Sequence, residues 1–154
     1  EGLSQPQVPQ GGGVPLLGRG VDLVGGQDHR LAAAAQHPHH AGVGLGEAQA
    51  RDAGLDVKTS IVPLDQVPRA LAARDTRGLI KLVADRKSDR LLGGQIIAPE
   101  GSDTIQTLVM ALKFGMTTKA LGETIFPYLT TVEGLKLAAQ TFDMDVAKLS
   151  CCAG

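Results

Sequence analysis

Gly78-Leu79-Ile80-Lys81-Leu82-Val83-Ala84 and Leu91-Leu92-Gly93-Gly94-Gln95-Ile96-Ile97-Ala98 flank the polar stretch Asp85-Arg86-Lys87-Ser88-Asp89-Arg90. Two apolar runs of strand length around a turn-forming polar segment predict a β-hairpin. The charges in the turn alternate in sign, which marks a solvated turn rather than a nucleic-acid patch. Upstream, Val57-Lys58-Thr59-Ser60-Ile61-Val62 is β-rich and reads as a further strand. Before it, Glu47 to Ala53 carries helix-forming residues and stops at Gly54, and Val67 to Ala73 forms a short helical turn around Pro68. Downstream the period changes. Ser102 or Asp103 is placed to cap a helix on which Ile105, Leu108, Val109 and Leu112 share a face, and Gly115 ends it. Thr118 to Glu123 is a second short helix. Val132 to Phe142 is a third, with Leu135, Leu137, Ala138 and Ala139 as its apolar positions, and Asp143 to Leu149 adds a last turn. Strands first and helices afterwards predict an α+β layer, an antiparallel sheet packed against helices.

Composition bounds the function. At 154 residues the chain fits one domain with a real core. No apolar run approaches the ~20 residues that span a bilayer, so no membrane partner is expected. The net charge of -1 supplies no broad attraction for nucleic acid or anionic lipid. The start Glu1-Gly2-Leu3 lacks the basic and apolar regions of a signal peptide. It also lacks an initiator Met, as expected of a fragment or trimmed chain. Aromatic residues are scarce, with no Trp, three Phe and the single Tyr128.

Residues 1–42 have another character. Gly and Pro recur at a density that breaks both helical and strand periods, so this segment is expected to be irregular, with the domain proper at 43–154. Only Gly20 to Val24 reads as a short strand and Leu31 to Gln36 as a short helix. Gly18-Arg19-Gly20 followed by Gly25 has the wrong spacing for a dinucleotide-binding turn and no strand and helix around it. His37-Pro38-His39-His40 has no Cys, Asp or Glu at a metal-site spacing, and a solvated His-rich loop is the better reading.

The only cysteines, Cys151 and Cys152, are adjacent and two residues from the end. A disulfide between sequence neighbours closes a strained ring and restricts no loop. In a reducing cytoplasm, the expected compartment, they stay thiols. Taken alone they read first as an exposed dithiol without a role. Capture of a soft metal ion by paired thiolates is the second reading.

One resemblance sharpens this. Val67-Pro68-Arg69-Ala70, Asp75-Thr76-Arg77-Gly78-Leu79-Ile80-Lys81-Leu82-Val83, Phe126-Pro127-Tyr128-Leu129-Thr130, Val132-Glu133-Gly134-Leu135-Lys136-Leu137-Ala138-Ala139-Gln140-Thr141-Phe142 and Leu149-Ser150-Cys151-Cys152-Ala153-Gly154 occur in order. Together they resemble the C-terminal dimerisation domain of the mercuric reductase family, a branch of the flavin-dependent pyridine nucleotide–disulfide oxidoreductases. The resemblance implies a homodimeric enzyme that reduces Hg(II) to elemental mercury with NADPH, through FAD and an inner redox-active cysteine pair. It implies that Cys151 and Cys152 receive Hg(II) and pass it across the subunit interface to that pair. Tyr128 stands where the disulfide reductases carry an acid–base His, and the resemblance makes it a residue of the partner's Hg(II) site. Glu133 matches the carboxylate that orients that His. With no His to orient, a helix-capping role is expected of it.

The chain also departs from the family pattern. The glycine-rich FAD and NADPH motifs and the inner Cys-x4-Cys segment are absent, and Gln36 to Gly42 does not match the apolar first strand. A slipped reading frame or rearranged gene would give such a join. The expectation is therefore a fragment that is inactive alone, binds Hg(II) through its tail and binds no FAD. Lacking the first strand, it would leave a sheet edge unpaired and be marginally folded. The alternative is a stand-alone Hg(II)-binding or dimerisation module.

Overall fold

The computed structural model describes residues 39–145, His39 by its backbone alone. The short strand and helix expected at Gly20 to Val24 and Leu31 to Gln36 lie outside the described residues. So do Gly18-Arg19-Gly20, the end of the last turn beyond Asp145, and the Cys151-Cys152 pair.

The hairpin forms as the pattern predicts. β3 (Leu79–Asp85) and β4 (Leu91–Ala98) pair antiparallel, with Ile80 opposite Ile96 and Lys81 opposite Gln95. Asp85 closes the turn between them. Its Oδ1 accepts from the backbone N–H of Lys87 at 3.1 Å and of Ser88 at 2.7 Å, and from the Ser88 hydroxyl at 2.7 Å. β2 (Val57–Pro63) adds antiparallel to the free side of β3.

The fourth strand corrects the sequence reading. β1 (His39–Gly44) pairs antiparallel with β4, His40 opposite Ile97 and Ala41 opposite Ile96, giving the order β1-β4-β3-β2. Residues 39–42 are therefore strand, not irregular chain, and the expected boundary at Val43 falls inside an element. The edge of β4 that a missing first strand would leave unpaired is covered by β1, so the argument for marginal folding that rested on it goes too. Small residues let β1 and β4 lie close to their neighbours. Ala41 is fully buried. A Cβ on Gly94 of neighbouring β4 would sit 2.7 Å from Leu108 Cδ2, and one on Gly93 would sit 2.4 Å from the Leu45 carbonyl oxygen.

Helices complete the layer. α1 (Glu47–Asp52) and α2 (Pro68–Ala73, after a 3-10 turn at Leu64–Gln66) fall between strands. α3 (Gly101–Lys113), α4 (Thr118–Glu123) and α5 (Glu133–Gln140) follow the sheet. α3 packs on β1 and β4, and α5 packs on β2 and β3. The main core between sheet and helices centres on Ile80, Leu82, Ile96, Leu108, Leu121 and Leu135. Burying a Leu or Ile side chain of this kind is favourable by about 1.5–3 kcal/mol each. α5 lies so close to the sheet that a Cβ on Gly134 would approach Ile80 Cδ1 to 2.5 Å. α1 covers one end of the opposite face with a smaller cluster of Ala50, Val57 and Val83.

Two expected caps are not made. α3 starts at Gly101 with Glu100 at the cap position and no side-chain cap, so neither Ser102 nor Asp103 serves. α5 starts at Glu133 itself, with Val132 at the cap position and again no side-chain cap. Glu133 is placed in the first turn, where the helix dipole favours a carboxylate, without bonding the terminal amides. α4 does carry a cap, as Ala120 N–H donates to Thr117 Oγ1 at 3.1 Å.

Candidate functional site

The stretch from Ile125 to Thr131 joins α4 to α5 and carries the chain's one tyrosine. Its two ends are held differently. Phe126 packs against the main core from the upstream side. Downstream, Thr131 is only 8% exposed, and its hydroxyl donates to Glu100 Oε2 at 3.0 Å. Between the anchors the chain turns tightly. Leu129 sits in the left-handed region at φ 61°, uncommon for a side chain of its size, and Thr130 Oγ1 donates to the Pro127 carbonyl at 2.8 Å. The turn presents Tyr128 outward at 63% exposure. A phenol held on a short anchored turn can donate a hydrogen bond or meet a metal–thiolate group brought to it.

Glu133, five residues after Tyr128 in the sequence, is 8% exposed, and its Oε2 is buried without a hydrogen-bond partner among the described residues. Glu100 bridges instead. Arg69 Nη2 of α2 stands 3.8 Å from Glu100 Oε1 while Thr131 holds Oε2. Arg69, Glu100 and Thr131 line a cleft of about 50 Å³ together with Leu64, Asp75 and Pro99. Sequence reasoning missed this group, because its members belong to three separate elements and no spacing rule joins them. The only local hint was Glu100 standing between a strand and a helix without being a good cap residue.

The second depression, about 610 Å³ and widely open, lies beside α1. There Glu47 accepts from Lys81 Nζ at 2.7 Å and from Arg51 Nη2 at 3.0 Å. The Lys81 hydrogen bond, then that of Arg51, holds its carboxyl below the usual range. Ligand pockets are typically enclosed and about 300–1,000 Å³. The first cleft is smaller than this, and the second lies open to solvent. Among the described residues no group of three or more His, Cys, Asp or Glu could hold a metal ion. Of the expected site residues, Tyr128 is described and Cys151 and Cys152 are not. No described helix is long and apolar enough to cross a membrane.

Compared with known families, residues 32–139 match the model for the pyridine nucleotide-disulphide oxidoreductase dimerisation domain. The chain belongs to this dimerisation-domain family. The match begins ahead of β1, consistent with a first strand that the sequence reading had denied. Among curated proteins the domain is similar to mercuric reductase of Bacillus cereus, 56% identical over 117 residues, covering 76% of this chain and 18% of that protein. It is similar also to mercuric reductase of Serratia marcescens, 51% identical over 132 residues, covering 82% and 29%. The chain thus spans less than a third of the length of these relatives. Among solved structures, the HOCl-induced flavoprotein disulfide reductase RclA from Escherichia coli matches at 30% identity and TM-score 0.64, over 67% of this chain and 24% of that one. LpdA from Mycobacterium tuberculosis, at 24% identity and TM-score 0.64 over 68% and 23%, shares the fold.

Proposed function

We propose that this chain is the C-terminal part of a mercuric reductase, supplying its dimer surface, an Hg(II)-capturing tail and one residue of the partner subunit's metal site. The observation that carries the reading is the identity of 51–56% to mercuric reductases over 117 to 132 aligned residues. In this reading the longer flavoprotein holds FAD and NADPH and reduces Hg(II) in the cytoplasm. Cys151 and Cys152 take up the ion. Sulfur ligands favour a soft metal, and stepwise exchange between thiolates moves it without releasing it. Tyr128, outward on its anchored turn, meets the thiolate-bound ion across the interface. The complete sheet with its own core also supports a second reading, a module that dimerises and carries Hg(II) without reducing it.

A graft separates these. Residues 39–154 replace the matching part of a mercuric reductase, and Hg(II)-dependent NADPH oxidation is followed. The expected result is a yellow, active dimer in which Tyr128→Phe, and Cys151→Ala with Cys152→Ala, each lower kcat/KM at least roughly tenfold. A graft that is active but indifferent to all three substitutions would overturn the site assignment. If the unfused chain proves yellow and oxidises NADPH with Hg(II) and thiol, the fragment reading falls.

A further inference from the structure

We propose that Glu100 and Thr131, with Arg69 behind them, form a latch that fixes the orientation of the Tyr128 turn. The inference rests on the reading of Tyr128 as a site residue and adds the groups that position it. Three observations point the same way. Glu100 occupies the cap position of α3, yet its side chain caps nothing. Its Oε2 accepts the hydroxyl of Thr131 at the downstream end of the turn, the partners standing 31 positions apart in the sequence. The receiving end is buried, since Thr131 is 8% exposed, whereas the turn it holds is open to solvent at Tyr128.

The backbone between supplies the reason a latch is needed. Leu129 holds φ 61°. A non-glycine residue keeps such a conformation only where its surroundings over-determine it. Phe126 pins the upstream end in the core, and the Thr130-to-Pro127 bond closes the turn locally. Phe126 meets a core to which α3 contributes Ile105, Leu108 and Ala111, so the upstream end is held by packing, while the Thr131–Glu100 hydrogen bond ties the downstream end to the start of α3. Arg69 at 3.8 Å from Glu100 Oε1 keeps the carboxylate facing the loop and ties α2 to the same point. Both charged side chains are partly exposed, at 41% and 55%, so the ion pair orients more than it stabilises. A site group placed by such a shell keeps its productive geometry. The same group on an unlatched loop is spread over many orientations.

Tyr128 offers a direct readout, because the chain has one tyrosine and no tryptophan. The steady-state anisotropy of its emission is measured on the full 154-residue chain without mercury, below the melting range of each variant. Thr131→Val and Glu100→Ala should lower it by roughly a third, as a turn freed on the nanosecond scale does. Thr131→Ser, which keeps the hydroxyl, and Glu100→Gln, which keeps an acceptor, should hold the native value. Unchanged anisotropy in Thr131→Val, or a Thr131→Ser variant as loose as Thr131→Val, would overturn the latch. A purely structural role would move the melting midpoint without this pattern. Mercury takes no part in the measurement, so failure of the Hg(II) reading in the graft leaves the latch result standing.

Discussion

Gly78 enters β3 at φ 125°, and a Cβ built there would lie 1.8 Å from the carbonyl oxygen of Ile97. Two penalties combine at this one position, a backbone region closed to other residues and a collision with the neighbouring strand. Relieving the collision means separating β3 from β4, the pair at the centre of the sheet. Gly54 isolates the first penalty, since it has φ 77° but nothing within 4 Å of its would-be Cβ. Gly54→Ala should therefore cost about 1 kcal/mol, while Gly78→Ala should cost upwards of about 3 kcal/mol. Urea denaturation of the two variants measures the difference, and equal losses would refute the steric account. Nothing in the local sequence separates these glycines. The demand on Gly78 comes from a strand that arrives almost twenty residues later in the chain.

Among elements, the hairpin was legible and β1 was not, and the contrast is physical. Leu, Ile and Val in β3 and β4 advertise burial, and Asp85-Arg86-Lys87-Ser88 advertises a turn. His39-His40-Ala41-Gly42 carries one small buried residue, Ala41, and no apolar run that would mark a strand. Thr118–Glu123 forms over the residues the sequence predicts, and the structure adds Thr117 as its cap, whereas the Glu100–Thr131 contact joins segments that no local pattern relates. The hairpin turn makes its own prediction. The Ser88 hydroxyl bond, then the Ser88 amide, hold the Asp85 carboxyl below its ordinary value of 3.8. A carboxylate lowered in the folded state contributes stability above its unfolded value and loses it as pH falls through the folded one. Asp85→Ala should thus melt below the parent at neutral pH, with the gap closing progressively below pH 3.8. A gap of constant size down to strong acid would show that the turn does not depend on the charge.

At the scale of the whole molecule, the exposed apolar side chains decide what the domain does with its surface. The outward side of α3 places Met110 at 42% and Phe114 at 71% exposure, in line with Asp103 and Thr107 at helical spacing. Large apolar groups on a charged, soluble surface mark an interaction face when they lie together on one element. For a member of a dimerisation-domain family, a second copy is the natural occupant. Ile61, 51% exposed on β2, provides the control, because Ser60 beside it points to the α5 side and bonds the Ala138 carbonyl at 2.6 Å. Ile61 therefore looks out from the other face of the sheet. Met110→Glu with Phe114→Glu should convert a dimer to monomer in sedimentation velocity at tens of micromolar, with little change in melting of the monomer, since neither side chain is in the core. Ile61→Glu should leave the dimer intact. The opposite result would move the interface to the open face of the sheet. A parent chain that sediments as a monomer throughout would refute α3 as a dimer surface of this chain.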